Sequence, residues 1–401
     1  MNQAYIVSGT RTPIGNYGGI LSSIRPDDMA AHVIAELVNL NPNLDVNAIG
    51  EVILGCANQA GEDNRNVARM ALLLAKLPQT IAGETVNRLC ASGMSAIVHA
   101  KRAINCGDSQ VIIAGGVESM TRAPYVMSKS SKPFGNDSAL FDSSFGWRFI
   151  NPKMQTLYGC DPMGMTAENL AELYKISRND QDQFALWSQQ KASFAQQSGL
   201  FEDEISPIKI SKGKGIDEYV ARDEFIKPNT SLEILSKLRP AFKTEGTVTA
   251  GNSSGLNDGA AAVLVVSQNA LKTYNLTPMA RIVSSAVVGV EPRIMGIGPV
   301  AASNLALQKA GLTLNDMDII ELNEAFAAQA LACTRAWAIA DNDPRLNTNG
   351  GAIALGHPLG MSGTRIVYSA ARQLQNQSKR FALCTMCIGV GQGYAVVLEK
   401  A

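Results

Sequence analysis

The sequence predicts a layered α/β protein built from two similar βαβαβ-type halves, with an inserted region of loops and helices. Three observations carry that reading. Strand-length apolar runs alternate with helical periodicity through the first third of the 401 residues, and the same rhythm returns in the last third. Hydrophobic residues make up 46% and charged residues only 17%, which supplies a large core and argues against extended disorder.

In chain order, residues 4–8 read as a first strand, 27–40 as a helix and 51–55 as a strand. Residues 66–77 and 92–106 read as helices and 111–115 as a strand. After Gly93, the apolar Met94, Ile97, Val98 and Ile104 fall near one helical face. From Pro124 to Thr247 the texture changes. A polar loop, Ser128-Lys129-Ser130-Ser131-Lys132-Pro133, precedes helices at 166–174 and 178–197 and a charged stretch at 212–218. Residues 260–267 resume as a buried strand. The last third then gives a strand at 319–322, a loop opened by Gly350-Gly351-Ala352, a helix at 361–374, and strands at 381–385 and 394–398 around Gly389-Val390-Gly391-Gln392-Gly393. The expected division is 1–123 with 248–275 as one half, 124–247 as the insertion and 276–401 as the second half. Two such halves place a site at their junction.

Charge and composition exclude several classes. Lys plus Arg and Asp plus Glu are both 35, so there is no basic excess to suit a nucleic acid. The longest purely apolar run, 260–266, is far short of the ~20 residues of a spanning helix. The first residues read as a core strand and not as a secretory leader. The seven scattered cysteines then fit reduced thiols in a cytoplasmic protein.

Four places could carry chemistry. Cys90, in Asn87-Arg88-Leu89-Cys90-Ala91-Ser92-Gly93, stands where a helix begins. Free N–H groups and the helix dipole there are expected to lower its pKa; the competing reading is a buried apolar cysteine. His357, in Ala354-Leu355-Gly356-His357-Pro358-Leu359-Gly360, sits on a rigid Gly/Pro turn that suits a general base near neutrality. His32 and His99 lie within helices and read as ordinary helix-face residues. Cys384-Thr385-Met386-Cys387 has Cys-x-x-Cys spacing, but it closes a strand and lacks a second ligand pair, which disfavours redox and zinc roles. Cys387 stands beside glycines whose N–H groups suit an oxyanion hole. Asn323 either caps a helix or holds a water.

Taken together, and over essentially the whole chain, these pieces resemble the thiolase family. The matching runs are Arg11-Thr12-Pro13-Ile14-Gly15, Asn87-Arg88-Leu89-Cys90-Ala91-Ser92-Gly93, Gly115-Gly116-Val117-Glu118-Ser119-Met120, Asn323-Glu324-Ala325-Phe326, Asn349-Gly350-Gly351-Ala352-Ile353-Ala354-Leu355-Gly356-His357-Pro358 and Cys387-Ile388-Gly389-Val390-Gly391. The resemblance implies the layered αβαβα thiolase fold and a set of roles. Cys90 would be the nucleophile, and His357 would activate it and help bind the thioester oxygen. Cys387 would be the acid/base. Asn323 would hold a water in one oxyanion hole, the N–H groups of Cys90 and Gly389 would form the other, and Ser254 would touch the pantetheine arm. It also implies coenzyme A as co-substrate with no resident cofactor or metal, acyl-CoA as the partner molecule, and a homotetramer with the 124–140 loop as a candidate contact.

The chain departs from the acetoacetyl-CoA type at Pro162, where that type has histidine before Met-Gly. The run from Gly55 to Arg69 and Gly146-Trp147-Arg148-Phe149-Ile150-Asn151-Pro152 resemble the branch acting on β-ketoadipyl-CoA (3-oxoadipyl-CoA) in aromatic catabolism, which includes relatives acting on an unsaturated oxosuberyl-CoA. A substrate carboxylate would need an arginine. Arg148 is the first candidate and Arg65 the second; a structural ion pair is the competing role for Arg148. Two other classes remain to be weighed. A decarboxylating ketoacyl synthase would carry a histidine where Cys387 stands, and a non-catalytic carrier or scaffold would not need the full residue set.

Overall fold

A computed structural model of the chain describes residues 2–211, 213 and 216–401. Its centre is a mixed sheet of ten strands among the described residues. Nine run in the order Ile319–Leu322, Phe381–Ile388, Gln392–Lys400, Ala280–Gly289, Ala4–Arg11, Asn257–Ser267, Val111–Ser119, Glu51–Gly55 and Ala82–Val86; the tenth, Gly15–Asn16, pairs with Asn257–Ser267. The halves meet at one narrow seam, where Tyr5 pairs with Arg281 and Ile6 with Ala280. Within the first half the outer strands are parallel, and within the second Ile319–Leu322 is parallel to Phe381–Ile388.

Alternating side chains divide the core into layers. In Val111–Ser119, Ile112 and Ala114 pack into a central cluster, whereas Val111, Ile113 and Val117 pack on the opposite face. The central cluster holds two helices, Ser92–Cys106 and Leu359–Asn376, flanked by strand residues of both halves. Helices Pro26–Asn39 and Val67–Leu74 cover the first half outside, and Gly298–Ala310 with Ala327–Ala336 cover the second. The layering is therefore αβαβα, with the two central helices shared.

Both helices start at the same end of this middle layer. The second of them approaches the Val111–Ser119 strand so closely that a Cβ on Gly116 would overlap the Gly360 carbonyl oxygen, and one on Gly360 would overlap the Val117 carbonyl. Glycine at these positions lets the start of the Leu359–Asn376 helix rest directly on the strand.

The intervening region contains helices Pro152–Tyr158, Met163–Leu173 and Arg178–Gln197 and two small hairpins. Of the charged stretch expected at 212–218, residues 212, 214 and 215 lie outside the described residues, and 217–218 begin the strand Asp217–Val220. A fully buried Arg11 fastens the region to the first strand. Its guanidinium meets Asp223 at 2.8 and 2.9 Å and Glu204 at 3.2 Å. Burial of that charge is tolerable because its partners are hydrogen-bonded to it.

Candidate active site

Cys90 lies two residues before the Ser92–Cys106 helix and is only half-buried. Leu89 before it takes a positive φ of 47°, an unusual conformation for a branched residue. The loop is held in that shape by Asn87, whose Oδ1 accepts the Leu89 N–H at 2.8 Å. Arg88 donates to Ser95 Oγ at 3.0 Å within its own half and reaches across to the second half to donate to Gln392 Oε1 at 3.2 Å.

The backbone N–H groups of Gly389 and of Cys90 itself lie close enough to the Cys90 sulfur to favour its charged form. Burial nevertheless outweighs them and pushes the thiol up to about 11, with the Glu118 carboxyl adding to the rise. The expectation of a lowered pKa at the helix start is therefore corrected. Crowding of protein around the sulfur costs the anion more than two N–H groups and a helix end return.

His357 is buried and stands on the turn before Leu359–Asn376. Gly356 precedes it at φ +103°, and the His357 N–H donates to Asn257 Oδ1 at 2.9 Å. Its Nδ1 lies 2.6 Å from Ser362 Oγ, and its Nε2 lies 3.4 Å from Asn323 Nδ2. Burial, aided by the nearby Arg365 charge, pushes the imidazole down to about 3. The expected base near neutrality is thus a neutral imidazole in the unliganded chain. With Cys90 protonated as well, there is no standing thiolate–imidazolium pair.

Asn323 follows the strand Ile319–Leu322, and its N–H donates to Thr385 O at 3.0 Å. Its side chain is buried and its Oδ1 has no partner among the described residues, so it does not cap a helix. An unpaired buried amide oxygen beside His357 is a place for a substrate-side hydrogen bond. Ser254 is half-buried next to this loop, its N–H donating to Ala325 O at 3.0 Å.

Cys384 and Cys387 separate as the strand alternates. Cys384 packs in the central core and Cys387 in the outer core of the second half. A dithiol role for the pair is excluded by that divergence. Cys387 is buried, its thiol pushed well up by burial, with Cys90 and Cys333 near enough to oppose its ionisation. Leu89 and Met163 border Gly389, their side chains 3.3 and 3.6 Å from where a Cβ on that glycine would stand.

The two arginines fare differently. Arg148 is half-buried; its Nη1 reaches Ser143 O at 3.5 Å, and among the described residues it forms no ion pair. Ser143 O also takes Asn58 Nδ2 at 2.8 Å, which ties the Arg148 segment to the loop beside Glu118. Arg65 is exposed, at φ +54°. Cys56, Asp63 and Glu118 bring possible metal-ligand atoms within 4.8 Å of one another. Their carboxylates already accept backbone N–H groups of Ala57, Asn58, Gln59, Gly61 and Gly360, so the cluster closes loops.

Sequence reading named Cys90, Gly389 and Cys387, which lie near one another, and His357 and Asn323, which form a second pair. It missed Ser362, Asn257, Met163 and Glu118. The i, i+5 spacing of His357 and Ser362 at a helix start was the one available signal.

Comparison with known proteins agrees with this geometry. Residues 4–269 match the family model "Thiolase, N-terminal domain" and residues 276–400 match "Thiolase, C-terminal domain". The chain is 56% identical over 400 residues to the 3-oxoadipyl-CoA/3-oxo-5,6-dehydrosuberyl-CoA thiolase of Escherichia coli (strain K12), covering all of both chains. It is 55% identical, again over the full length of both, to a beta-ketoadipyl-CoA thiolase of Acinetobacter baylyi. Human mitochondrial 3-ketoacyl-CoA thiolase superposes with a TM-score of 0.93 at 41% identity, covering 100% of this chain and 99% of that one. The same human enzyme in complex with CoA gives 0.92 at 40% identity, covering 100% and 98%.

Proposed function

The chain belongs to the thiolase family of acyltransferases, and on that premise we propose that it cleaves 3-oxoadipyl-CoA with coenzyme A into succinyl-CoA and acetyl-CoA. The observation that carries the proposal is Asn323 Nδ2 standing 3.4 Å from Nε2 of His357 with the Asn323 Oδ1 left unpaired, in a chain that also sets Gly389 and Cys387 near the Cys90 sulfur. A second substrate, the unsaturated 3-oxosuberyl-CoA, is supported by the double name of the relative at 56% identity.

The steps follow from the protonation states. Cys90 attacks the 3-oxo carbon while its proton passes to Nε2 of His357, so the anion forms only as the new C–S bond does. The oxyanion that develops at that carbon accepts the N–H groups of Cys90 and Gly389. The bond between C2 and C3 then breaks. The departing acetyl-CoA enolate keeps its oxygen at His357 and a water held by Asn323, and takes a proton from Cys387. In the second half, Cys387 takes the thiol proton of incoming CoA. The CoA sulfur attacks the acyl-Cys90 thioester, succinyl-CoA leaves, and the proton held on His357 returns to the departing Cys90 sulfur, which restores the thiol and the neutral imidazole.

The same reading makes Ser254 a pantetheine contact, coenzyme A the co-substrate, and needs no resident cofactor. It divides the chain into 1–123 with 248–275, 124–247 and 276–401, a division supported by the pairing of Asn257–Ser267 with Ala4–Arg11 and Val111–Ser119. It also assigns a cytoplasmic homotetramer. Exposed apolar side chains at Tyr125, Met127, Phe134 and Leu140 support an assembly contact there. The test is optical. The Mg²⁺-enolate absorbance of 3-oxoadipyl-CoA should fall when enzyme and CoA are both present, and no fall with any 3-oxoacyl-CoA would remove the proposal.

A further inference from the structure

Glu118 is a buried acid to which the steps above give no task. It lies near the end of the Val111–Ser119 strand and is 1% exposed. Its Oε2 accepts the N–H of Gly360 at 2.8 Å and that of Ala57 at 3.0 Å, and its Oε1 accepts the N–H of Asn58 at 3.0 Å. Gly360 is the second residue of the Leu359–Asn376 helix, three beyond His357. Ala57 continues in the other direction. Its carbonyl accepts from Asn87 Nδ2 at 3.0 Å, and Asn87 Oδ1 accepts the N–H of Leu89, the residue before Cys90. One carboxylate therefore stands between two short chains of hydrogen bonds, one ending at the loop of Cys90 and the other at the turn of His357.

These bonds are of the strong kind. All three donors meet one carboxyl group, and one of them belongs to the first turn of an 18-residue helix whose dipole attracts negative charge. Around them the packing has no slack, because the start of that helix rests on Gly116 without room for a methyl group.

We infer that Glu118 is a positioning residue that fixes the placement of Cys90 relative to His357. The inference rests on the proposed roles of those two residues. Glu118→Ala removes both oxygens, so the N–H groups of Gly360, Ala57 and Asn58 all lose their acceptor and both tethers go, whereas a glutamine can keep the Gly360 and Ala57 bonds by placing its oxygen where Oε2 stands. A displacement near 1 Å between nucleophile and base is worth about 100-fold in rate.

The experiment measures acylation of Cys90 by acetyl-CoA, by quenched-flow mass spectrometry on the full-length enzyme. Glu118→Ala should acylate about 100-fold more slowly, with KM for acetyl-CoA changed by no more than about threefold and nearly every Cys90 modified at long times, and Glu118→Gln should recover much of the rate. A merely structural role would lower the fraction of sites that react while leaving their rate unchanged, and that result would overturn the inference. Asn87 is exposed, so Asn87→Ala tests the link without disturbing the core. It should slow acylation in the same direction, and the double variant should be less slow than the product of the two effects. If Glu118→Ala does not fold, Asn87→Ala decides alone, and a wild-type rate there rejects the inference. Failure of the wild-type enzyme to acylate at Cys90 would instead sink the functional proposal itself.

Discussion

The Ser362 hydroxyl lies 2.6 Å from Nδ1 of His357 and donates its single proton, at 2.8 Å, to the carbonyl of Pro358. With that proton committed, Ser362 can only accept from Nδ1–H, which leaves the lone pair of the imidazole on Nε2, the atom facing Asn323. One hydroxyl thus selects the tautomer that can take a proton from Cys90. Ser362→Ala should slow formation of the acyl-enzyme by about 10–100-fold, in line with the loss of a buried hydrogen bond to a reacting group. Acylation at the wild-type rate would show that the tautomer is fixed by another group.

The protonation states give a pH signature. Because the Cys90 thiol is raised to about 11, the free enzyme holds little thiolate at neutral pH. Alkylation of Cys90 by iodoacetamide should therefore rise about tenfold per pH unit from 7 to 9, tracking the thiolate fraction. His357, depressed to about 3, stays neutral across that range and adds no break to the profile. A plateau already reached below pH 8, with Cys90 as the labelled residue, would mean a preformed thiolate–imidazolium pair and would reject the concerted first step.

The division of labour between His357 and Cys387 is separable by half-reaction. Cys387→Ala should still form acetyl-Cys90 from acetyl-CoA, more slowly, while making or breaking the carbon–carbon bond collapses by at least about 100-fold. His357→Ala should fail earlier, in forming the acyl-enzyme. Mass spectrometry of the trapped intermediate, together with steady-state turnover, distinguishes these patterns. Equal losses in both half-reactions for both variants would show that the two residues act as one unit.

How much of this was legible in the sequence depended on which physical signal each residue left. The helices 92–106 and 178–197 appeared with the ends that the structure gives, Ser92–Cys106 and Arg178–Gln197. The strand Ala82–Val86 left no trace, being a short polar edge strand without an apolar run. Ala280–Gly289 was obscured because its inward positions include the small Ala280, Ser284 and Ala286, so burial alternates while hydropathy does not. Ala327–Ala336 is alanine-rich and almost wholly buried, so it lacks the polar face that periodicity detects, and Gly298–Ala310 turns the small Ala302, Ser303 and Ala306 inward, which leaves little apolar contrast. At the site, Cys90 and His357 stood out through their local motifs. The direction of their pKa shifts did not, because burial is a property of the assembled layers and not of a helix end. Glu118 and Asn257 were illegible as partners of His357's turn for the same reason: both lie at least 100 residues from it.

Packing of the Leu359–Asn376 helix start against the Val111–Ser119 strand makes a stability prediction. A methyl group at Gly116 has to displace the Gly360 carbonyl, which is backbone and cannot rotate away. Gly116→Ala should lose about 1–3 kcal/mol of stability, the usual cost of overpacking, seen as a lowered midpoint in chemical denaturation. An unchanged midpoint would mean that the helix start can shift freely against the strand.

The far end of the substrate is the remaining question of recognition. An acyl chain that ends in a carboxylate brings a charge that is costly to bury without a partner. Arg148 has a planar fork suited to grip it, and the structure leaves that fork uncommitted: its contact is a 3.5 Å approach to the Ser143 carbonyl, with no ion pair among the described residues. The structural ion pair that competed with this role is therefore absent there. Asn58 anchors the same carbonyl at 2.8 Å, so the segment carrying Arg148 is fastened to the loop next to Glu118. Arg65, exposed on its loop, has no comparable anchoring and ranks second. Losing a desolvated charge partner costs about 2–5 kcal/mol in binding. Arg148→Ala should accordingly cut kcat/KM for 3-oxoadipyl-CoA by about 30-fold or more while sparing a neutral 3-oxoacyl-CoA of similar length. Equal losses on both substrates, or none on either, would reject Arg148 as the residue that reads the carboxylate and move the test to Arg65→Ala.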